Sequence, residues 1–180
     1  MLQVTIPKTE HYDPVTNEFS YTPEATLSLE HSLISISKWE SRWNKPFLTN
    51  AKKTPAETID YIRCMTLTQN VDPGVYLVIP DSVFNQINEY ITAPMTATTI
   101  HRKPGSNSKS QVVTSELIYY WMTVFNIPIE CQKWHLNRLL TLISICNIKN
   151  NPGKKMSRRD TMVQNKELNE ARRKALNTRG

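Results

Sequence analysis

The 180-residue chain is long enough for one compact domain, which would bury about 70% of the surface that its unfolded form exposes. Its composition, 39% hydrophobic and 21% charged with four Gly and eleven Pro, excludes collagen-like and Gly-rich disordered classes. The sequence has no uncharged apolar run of the roughly 20 residues that a membrane-spanning helix needs, and Met1–Pro7 lacks the regions of a signal peptide. We therefore expect neither secretion nor membrane insertion.

Charge is distributed unevenly along the chain. Residues 1–148 hold 12 Lys and Arg against 13 Asp and Glu, whereas residues 149–180 hold 10 against 3, so the formal charges are −1 and +7. A basic tail indicates an acidic partner, either nucleic acid or the acidic surface of another protein. The cysteines are odd in number and lie far apart, at Cys64, Cys131 and Cys146, so they show no disulfide spacing. We therefore expect a reducing environment such as the cytoplasm.

Alternating apolar and polar residues predict strands within residues 1–30. The segments Leu2–Ile6, Phe19–Tyr21 and Leu27–Leu29 each repeat with a period of two. We expect these strands to form a small antiparallel β element.

Beyond the strands, apolar residues recur every three or four positions, which is the period of a helix. This pattern predicts a helix over 32–44 and a second over 55–66. The second helix begins with a capping box, in which Thr54 and Glu57 satisfy each other's backbone N–H groups. A third, shorter helix is expected to be capped by residue 81 or 82.

The second and third helices each have an expected buried face. In the second, Ile59, Ile62 and Met65 share one side. In the third, the buried face consists of Val83, Ile87 and either Tyr90 or Ile91.

The most apolar part of the chain lies between residues 112 and 148. Its pattern predicts one helix ending near Phe125, a break at Asn126–Pro128 and a second helix over Ile129–Ile148. Helices joined so closely form a hairpin or a corner. A helix-turn-helix interpretation is less favoured, because neither helix carries much positive charge.

Cys131 and His135 are the nearest approach to a metal site. Four residues apart on the predicted helix, they would share one face, but two ligands are only half of a zinc site. We interpret Cys131 as a small packing residue and His135 as a residue of the helix surface. Since phosphate loops, nucleophile elbows and paired-cysteine motifs are also missing from the sequence, we predict no catalytic residue, no metal and no cofactor.

Trp39 and Trp43 are candidate partner-binding residues. They lie four apart on one helix face beside several cations, an arrangement on which nucleic acid bases could stack. The favoured interpretation is that both indoles anchor the core or a subunit interface, because Leu33 and Ile36 continue the same apolar surface.

Residues 151–180 are predicted to form a basic helical arm that follows the body, residues 1–150. Ser157 and Asp160 form a capping box, but few apolar residues follow, so the arm is expected to become ordered on a partner. Its candidate partner-binding residues are clustered cations and a few apolar side chains: Lys154, Lys155, Arg158, Arg159, Met162, Leu168, Arg172, Arg173 and Lys174. The sequence thus predicts a mainly helical α+β protein with an N-terminal β element, a helical body and a C-terminal arm.

Several segments, which are distributed between residue 28 and residue 180, resemble one known family. They are Ser28–Trp43, Ile59–Thr66, Ser115–Met122, Ile127–Leu140, Asn147–Asn150, Leu168–Lys174 and Asn177–Gly180. In these segments the chain resembles the tail assembly chaperones of long-tailed, siphovirus-type bacteriophages.

The resemblance implies a binding role without chemistry. Such chaperones bind the long, helical tape-measure protein, keep it from aggregating and recruit tail-tube subunits in the host cell cytoplasm during assembly. A homo-oligomer is compatible with this role. Two alternatives stay open: a permanent virion component of the head, neck or tail, and a nucleic-acid-binding accessory protein that acts through the basic tail.

Overall fold

The chain is a mainly helical α+β protein, which confirms the predicted fold class. The computed structural model describes residues 1–13, 17–100 and 112–150, together with the six positions 162, 165, 166, 169, 170 and 173. The chain divides into two compact units, residues 1–145 and residues 146–180. The first, residues 1–145, contains the strands and the buried core.

Four short strands near the start of the chain confirm the predicted β element. They are β1 (Leu2–Ile6), β2 (Thr9–Asp13), β3 (Glu18–Thr22) and β4 (Ala25–Leu29). β1 pairs antiparallel with β4, and β2 pairs antiparallel with β3.

The two strand pairs are halves of one long hairpin. Leu2 faces Leu29 in the inner half and Thr9 faces Thr22 in the outer half, so a single register runs through both. Pairing stops only between the halves, where Pro7 and Pro23 have no backbone N–H to donate.

Helices follow the hairpin. They are α1 (Leu33–Trp43), α2 (Pro55–Met65), the 3₁₀ helix Pro73–Leu77, α3 (Asp81–Thr92), α4 (Ser115–Val124), the 3₁₀ helix Ile129–Lys133 and α5 (Leu136–Asn150). The predictions of helices over 32–44 and 55–66 are confirmed to within a residue at each end. α1 lies at the centre of the packing, because it contacts α2, α4 and the second 3₁₀ helix.

Local capping explains where α1 and α2 begin. At α1, the Ser32 hydroxyl accepts the Ser35 N–H at 3.3 Å, and the Ser35 hydroxyl accepts the Ser32 N–H at 3.0 Å. At α2, the predicted box is present: Glu57 Oε2 accepts the Thr54 N–H at 2.7 Å, and Thr54 Oγ1 accepts the Glu57 N–H at 3.2 Å. Both helices therefore satisfy N–H groups that have no intrahelical acceptor.

Two details of α2 and α3 differ from prediction. Ile59 is only half-buried, and Tyr61 takes its place beside the buried Ile62 and Met65. At α3, Asp81 is the first helical residue and no side chain caps the helix, because Pro80 occupies the cap position. The predicted α3 face of Val83 and Ile87 is buried, with Tyr90 as its third member.

The prediction of one continuous helix over Ile129–Ile148 is wrong. A 3₁₀ helix ends at Lys133, Trp134 is extended, and α5 begins only at Leu136. The cause is tertiary: His135 forms a β-bridge with Ser32, and the Leu136 N–H donates to the His31 carbonyl at 2.7 Å. In a continuous helix, that N–H would bond a carbonyl of its own segment four residues earlier.

A buried carboxylate joins α1 to two distant parts of the chain. Glu40 Oε1 accepts the backbone N–H of Phe47, and its Oε2 accepts that of Ser115, both at 2.7 Å. Ser115 is the first residue of α4, so the carboxylate also meets the positive end of that helix. Glu40 thereby fixes α4 and the segment after α1 on one helix.

We predict that Glu40→Ala lowers the free energy of unfolding by about 2–5 kcal/mol, because it leaves two buried N–H groups without an acceptor. Glu40→Gln should cost less, since its amide oxygen can still accept one of them. Urea unfolding measures both losses. Glu89→Ala, at an exposed glutamate of α3, is the control and should change stability by less than about 0.5 kcal/mol; an equal effect of the two alanine variants would contradict the bridging role.

Candidate partner-binding surfaces

The most conspicuous group of titratable side chains in the body is buried. His31 Nδ1 lies 2.5 Å from the Tyr61 hydroxyl, which also lies 3.4 Å from the Ser35 hydroxyl. The His135 ring centre is 5.0 Å from that of His31 and 4.9 Å from that of Tyr90. We call this group the His31 cluster; it joins the start of α1 to α2, to α3 and to the segment before α5.

Hydrogen bonds account for the polar atoms of the cluster. The Asn137 N–H donates to His135 Nδ1 at 3.3 Å, so Nε2 carries the ring proton and donates it to the Tyr90 carbonyl at 3.0 Å. The Tyr90 hydroxyl donates to Glu30 Oε1 at 2.6 Å. Within the described part of the chain, no buried side-chain N or O atom lacks a hydrogen-bond partner.

Burial keeps the cluster uncharged. Burial, with a smaller effect of His135, lowers the pKa of His31 from 6.5 to about 3, and burial also lowers the pKa of His135. Burial raises the pKa of both Tyr61 and Tyr90. Neutral, mutually bonded rings are what a structural cluster needs, so we assign the group to folding rather than to catalysis.

Cys131 and His135 do not share a helix face. Cys131 lies in a 3₁₀ helix, and His135 belongs to the bridge that follows it. The interpretation of Cys131 as a small packing residue is confirmed by its burial, whereas the placement of His135 on a helix surface is wrong, because its ring is buried in the His31 cluster. Among the residues described, no three His, Cys, Asp or Glu side chains come together as a metal site.

The two tryptophans of α1 have different environments. Trp39 is 1% exposed and donates its indole N–H to the Glu57 carbonyl at 2.9 Å, which bears out the core interpretation and removes it from the candidate partner contacts. Trp43 is half-buried and stacks on Trp39 with ring centres 6.3 Å apart. Its indole N–H donates to Asp60 Oδ2 at 2.9 Å, and Asp60 also pairs with Arg42. Only the outer part of Trp43 is therefore available to a partner.

A shallow depression of about 400 Å³ lies on the outer side of α2. Its lining residues are Ala56, Ile59, Asp60, Arg63 and Leu77. Leu77 is 75% exposed. Of the two charged residues, Asp60 forms an ion pair with Arg42, and the Arg63 guanidinium lies over the Tyr76 ring. Ala56, Ile59 and Leu77 make part of this lining apolar, so the depression is a candidate contact for apolar side chains of a partner.

α4 carries apolar residues on both of its sides. Ile118 and Met122 are buried in the core on the inner side. The outward residues, which we call the α4 outer stripe, are Leu117, Tyr120, Trp121 and Val124. Leu117 and Trp121 are half-buried, whereas Tyr120 and Val124 are 61% and 52% exposed.

The sequence-based reasoning missed the α4 outer stripe. It took this segment only as one apolar helix that ends near Phe125, and it gave no role to Tyr120 or Val124. The available signal was the spacing, since Tyr120 and Val124 lie four apart and must share a side.

Of the candidate residues in the basic arm, only Met162 and Arg173 are described; both are helical and exposed. Lys154, Lys155, Arg158, Arg159, Leu168, Arg172 and Lys174 lie outside the described residues.

Comparisons with protein-family models, with curated proteins and with solved structures found no match to this chain. The helices that the structure describes include none with the length and apolarity required to cross a membrane.

We predict that acid weakens the fold through His31. Between pH 6.5 and about pH 3 the unfolded chain binds a proton on this ring that the folded chain excludes. The stability contributed by the neutral ring is therefore complete above pH 6.5 and falls by about 1.4 kcal/mol per pH unit below it. Urea unfolding between pH 7 and pH 4.5 measures this slope. His31→Asn, which has no titrating ring, should flatten the slope by that amount; an unchanged slope would contradict the buried neutral ring.

We predict unequal costs for the two tryptophans. Trp39→Ala should lower the free energy of unfolding by about 3–5 kcal/mol, because it removes a fully buried side chain. Trp43→Ala should cost only about 1–2 kcal/mol, from partial burial and one hydrogen bond. Chemical denaturation of the two variants checks the difference, and equal losses would contradict the placement of Trp39 in the core.

Proposed function

We propose that this protein is a non-enzymatic tail assembly chaperone of a long-tailed bacteriophage, which binds the tape-measure protein and helps to recruit tail-tube subunits in the host cell cytoplasm. The observation that carries the proposal is the α4 outer stripe. It supports a binding role because it presents exposed apolar side chains on a helix whose opposite side already holds the core.

The spacing of the stripe fits a helical partner. Leu117, Tyr120, Trp121 and Val124 occupy positions i, i+3, i+4 and i+7. Two helices pack through rows of side chains with this spacing. Tyr and Trp are effective anchors for such contacts, because each combines a large apolar ring with a polar group that can remain hydrated. A long helical client such as a tape-measure protein presents surfaces of this kind.

The strength expected of one such contact is modest. Covering Tyr120 and Val124 contributes about 1.5–3 kcal/mol for each side chain that becomes fully buried. Such weak contacts hold a long client strongly when several copies of this chain are joined in an oligomer, because linked contacts bind together. The tail sequence, at +7 over residues 149–180, adds attraction for acidic client segments.

We predict that the double variant Tyr120→Ser, Val124→Ser binds the tape-measure protein at least about tenfold more weakly than the wild type, since a loss of about 1.4 kcal/mol raises the Kd tenfold. The client should be co-expressed and recovered through a tag on this chain. Thermal melting should stay nearly unchanged, because neither residue is buried. Leu67→Ser is the matched control, because Leu67 is also an exposed apolar residue but lies outside the α4 outer stripe and the depression on α2, and it should retain the client.

Equal recovery of the client with the double variant and the wild type would contradict the role of α4.

Mass spectrometry of purified particles distinguishes a chaperone from a permanent virion component. A chaperone should be missing from finished particles, whereas a stoichiometric amount of this chain would overturn the chaperone proposal in favour of a structural component.

A further inference from the structure

The depression on α2 is formed by one side of that helix and by the 3₁₀ helix that follows it. Ala56, Ile59, Asp60 and Arg63 occupy positions i, i+3, i+4 and i+7, so they lie along one side of α2. Leu77, the last residue of the 3₁₀ helix, completes the lining and is largely exposed. The lining covers two helical turns, or about 10 Å. Two turns of a partner helix can therefore lie along it.

Positive charge is concentrated near the last turns of α2, at one end of the depression. Burial raises the pKa of the Cys64 thiol, and the Asp60 carboxylate adds to this effect. Arg42, Lys38 and Arg63 lower the pKa of the same thiol, so all three cations lie close to this part of α2. Three cations against one carboxylate leave a local net charge of +2.

Two of these cations are available to a partner. In the described part of the chain, Asp60 forms its ion pair with Arg42, whereas the exposed Lys38 and Arg63 form none. The Arg63 guanidinium carbon lies 5.2 Å from the centre of the buried Tyr76 ring. Stacking of this kind holds the guanidinium by its face and leaves the N–H groups of its edge available for a bidentate contact with a carboxylate.

We propose that the depression on α2 binds an acidic amphipathic helix of another protein. Apolar side chains of that helix cover Ile59 and Leu77, one of its carboxylates pairs with Arg63, and a second approaches Lys38. An apolar helix face in a groove, with complementary charge beside it, is a common mode of peptide recognition. The site does not include α4, so the proposal is independent of the proposed chaperone function.

The chemistry of the site disfavours two other occupants. Residues 149–180 of this chain carry a formal charge of +7, so the local positive charge repels them. Single-stranded nucleic acid binds by stacking its bases on aromatic rings, and the side chains that line the depression are aliphatic or charged.

The test uses the full chain and a capped, Ala-rich peptide of eighteen residues, with Leu at every third or fourth position along one side and Glu beside them. We expect the peptide to bind, more weakly at higher salt, and to shift the amide NMR signals of Ile59, Arg63 and Leu77. The same peptide with Lys in place of Glu should bind at least about tenfold more weakly, because its charge repels the site. A peptide with Ala in place of Leu should also bind weakly, since it buries less apolar surface.

Two variants of the chain separate the charge and apolar contributions. Lys38→Gln with Arg63→Gln, and Leu77→Ser, should each weaken binding of the Glu peptide by about tenfold or more. All three residues are exposed, so thermal melting should stay close to that of the wild type. Arg138→Gln is the matched control, because Arg138 is also an exposed arginine stacked on an aromatic ring, and it should bind the peptide like the wild type.

Several results would overturn the proposal. These are unchanged binding by both variants, equal binding of the Lys peptide, or NMR shifts confined to residues outside α2 and the 3₁₀ helix. Tighter binding of an oligothymidylate, lost in the variant without Lys38 and Arg63, would assign the site to nucleic acid instead. A wild-type dimer that Leu77→Ser converts to a monomer would assign it to a second copy of this chain.

Discussion

The body of this protein depends on the buried contact between His31 and Tyr61. His31 lies immediately before the cap of α1, and Tyr61 lies on α2, while the neighbouring rings of His135 and Tyr90 bring in the segment before α5 and the end of α3. Buried polar groups are costly unless bonded, so packings of the helices that leave these rings unbonded are destabilised. The cluster therefore selects one packing of the helices where apolar burial alone would tolerate several.

Much of the fold could be predicted because its determinants are local. The capping box at Thr54 and Glu57, the alternation of Leu2–Ile6 and the periodicity of α1 act within a few residues, and each appears where expected. The break before α5 could not be predicted in this way. Residues 129–148 have a helical pattern throughout, and the chain leaves the helix because backbone groups near Ser32, about 100 residues earlier in sequence, bond to it.

The candidate site was harder to predict than the fold. Trp39 and Trp43 are equivalent in sequence pattern, yet the Glu57 carbonyl and the core enclose one, while the other reaches the surface beside Asp60. The α4 outer stripe could not be predicted from the sequence for a different reason. A helix with apolar residues on most sides has no polar face to mark its outside, so only tertiary packing reveals that Tyr120 is exposed and Ile118 is not.

The proline break in the hairpin separates two kinds of evolutionary constraint. In the inner half, β1 and β4, the side chains on the core side pack in the buried core, so substitutions there lower stability. Outward of them, β2 and β3 pair mainly with each other, and the missing hydrogen bonds at the prolines weaken the coupling between the halves. The outer half can therefore accumulate changes in charge and shape without endangering the fold. Tolerance to substitution is thus expected to change along one hairpin, from its core-bound base to its outer end.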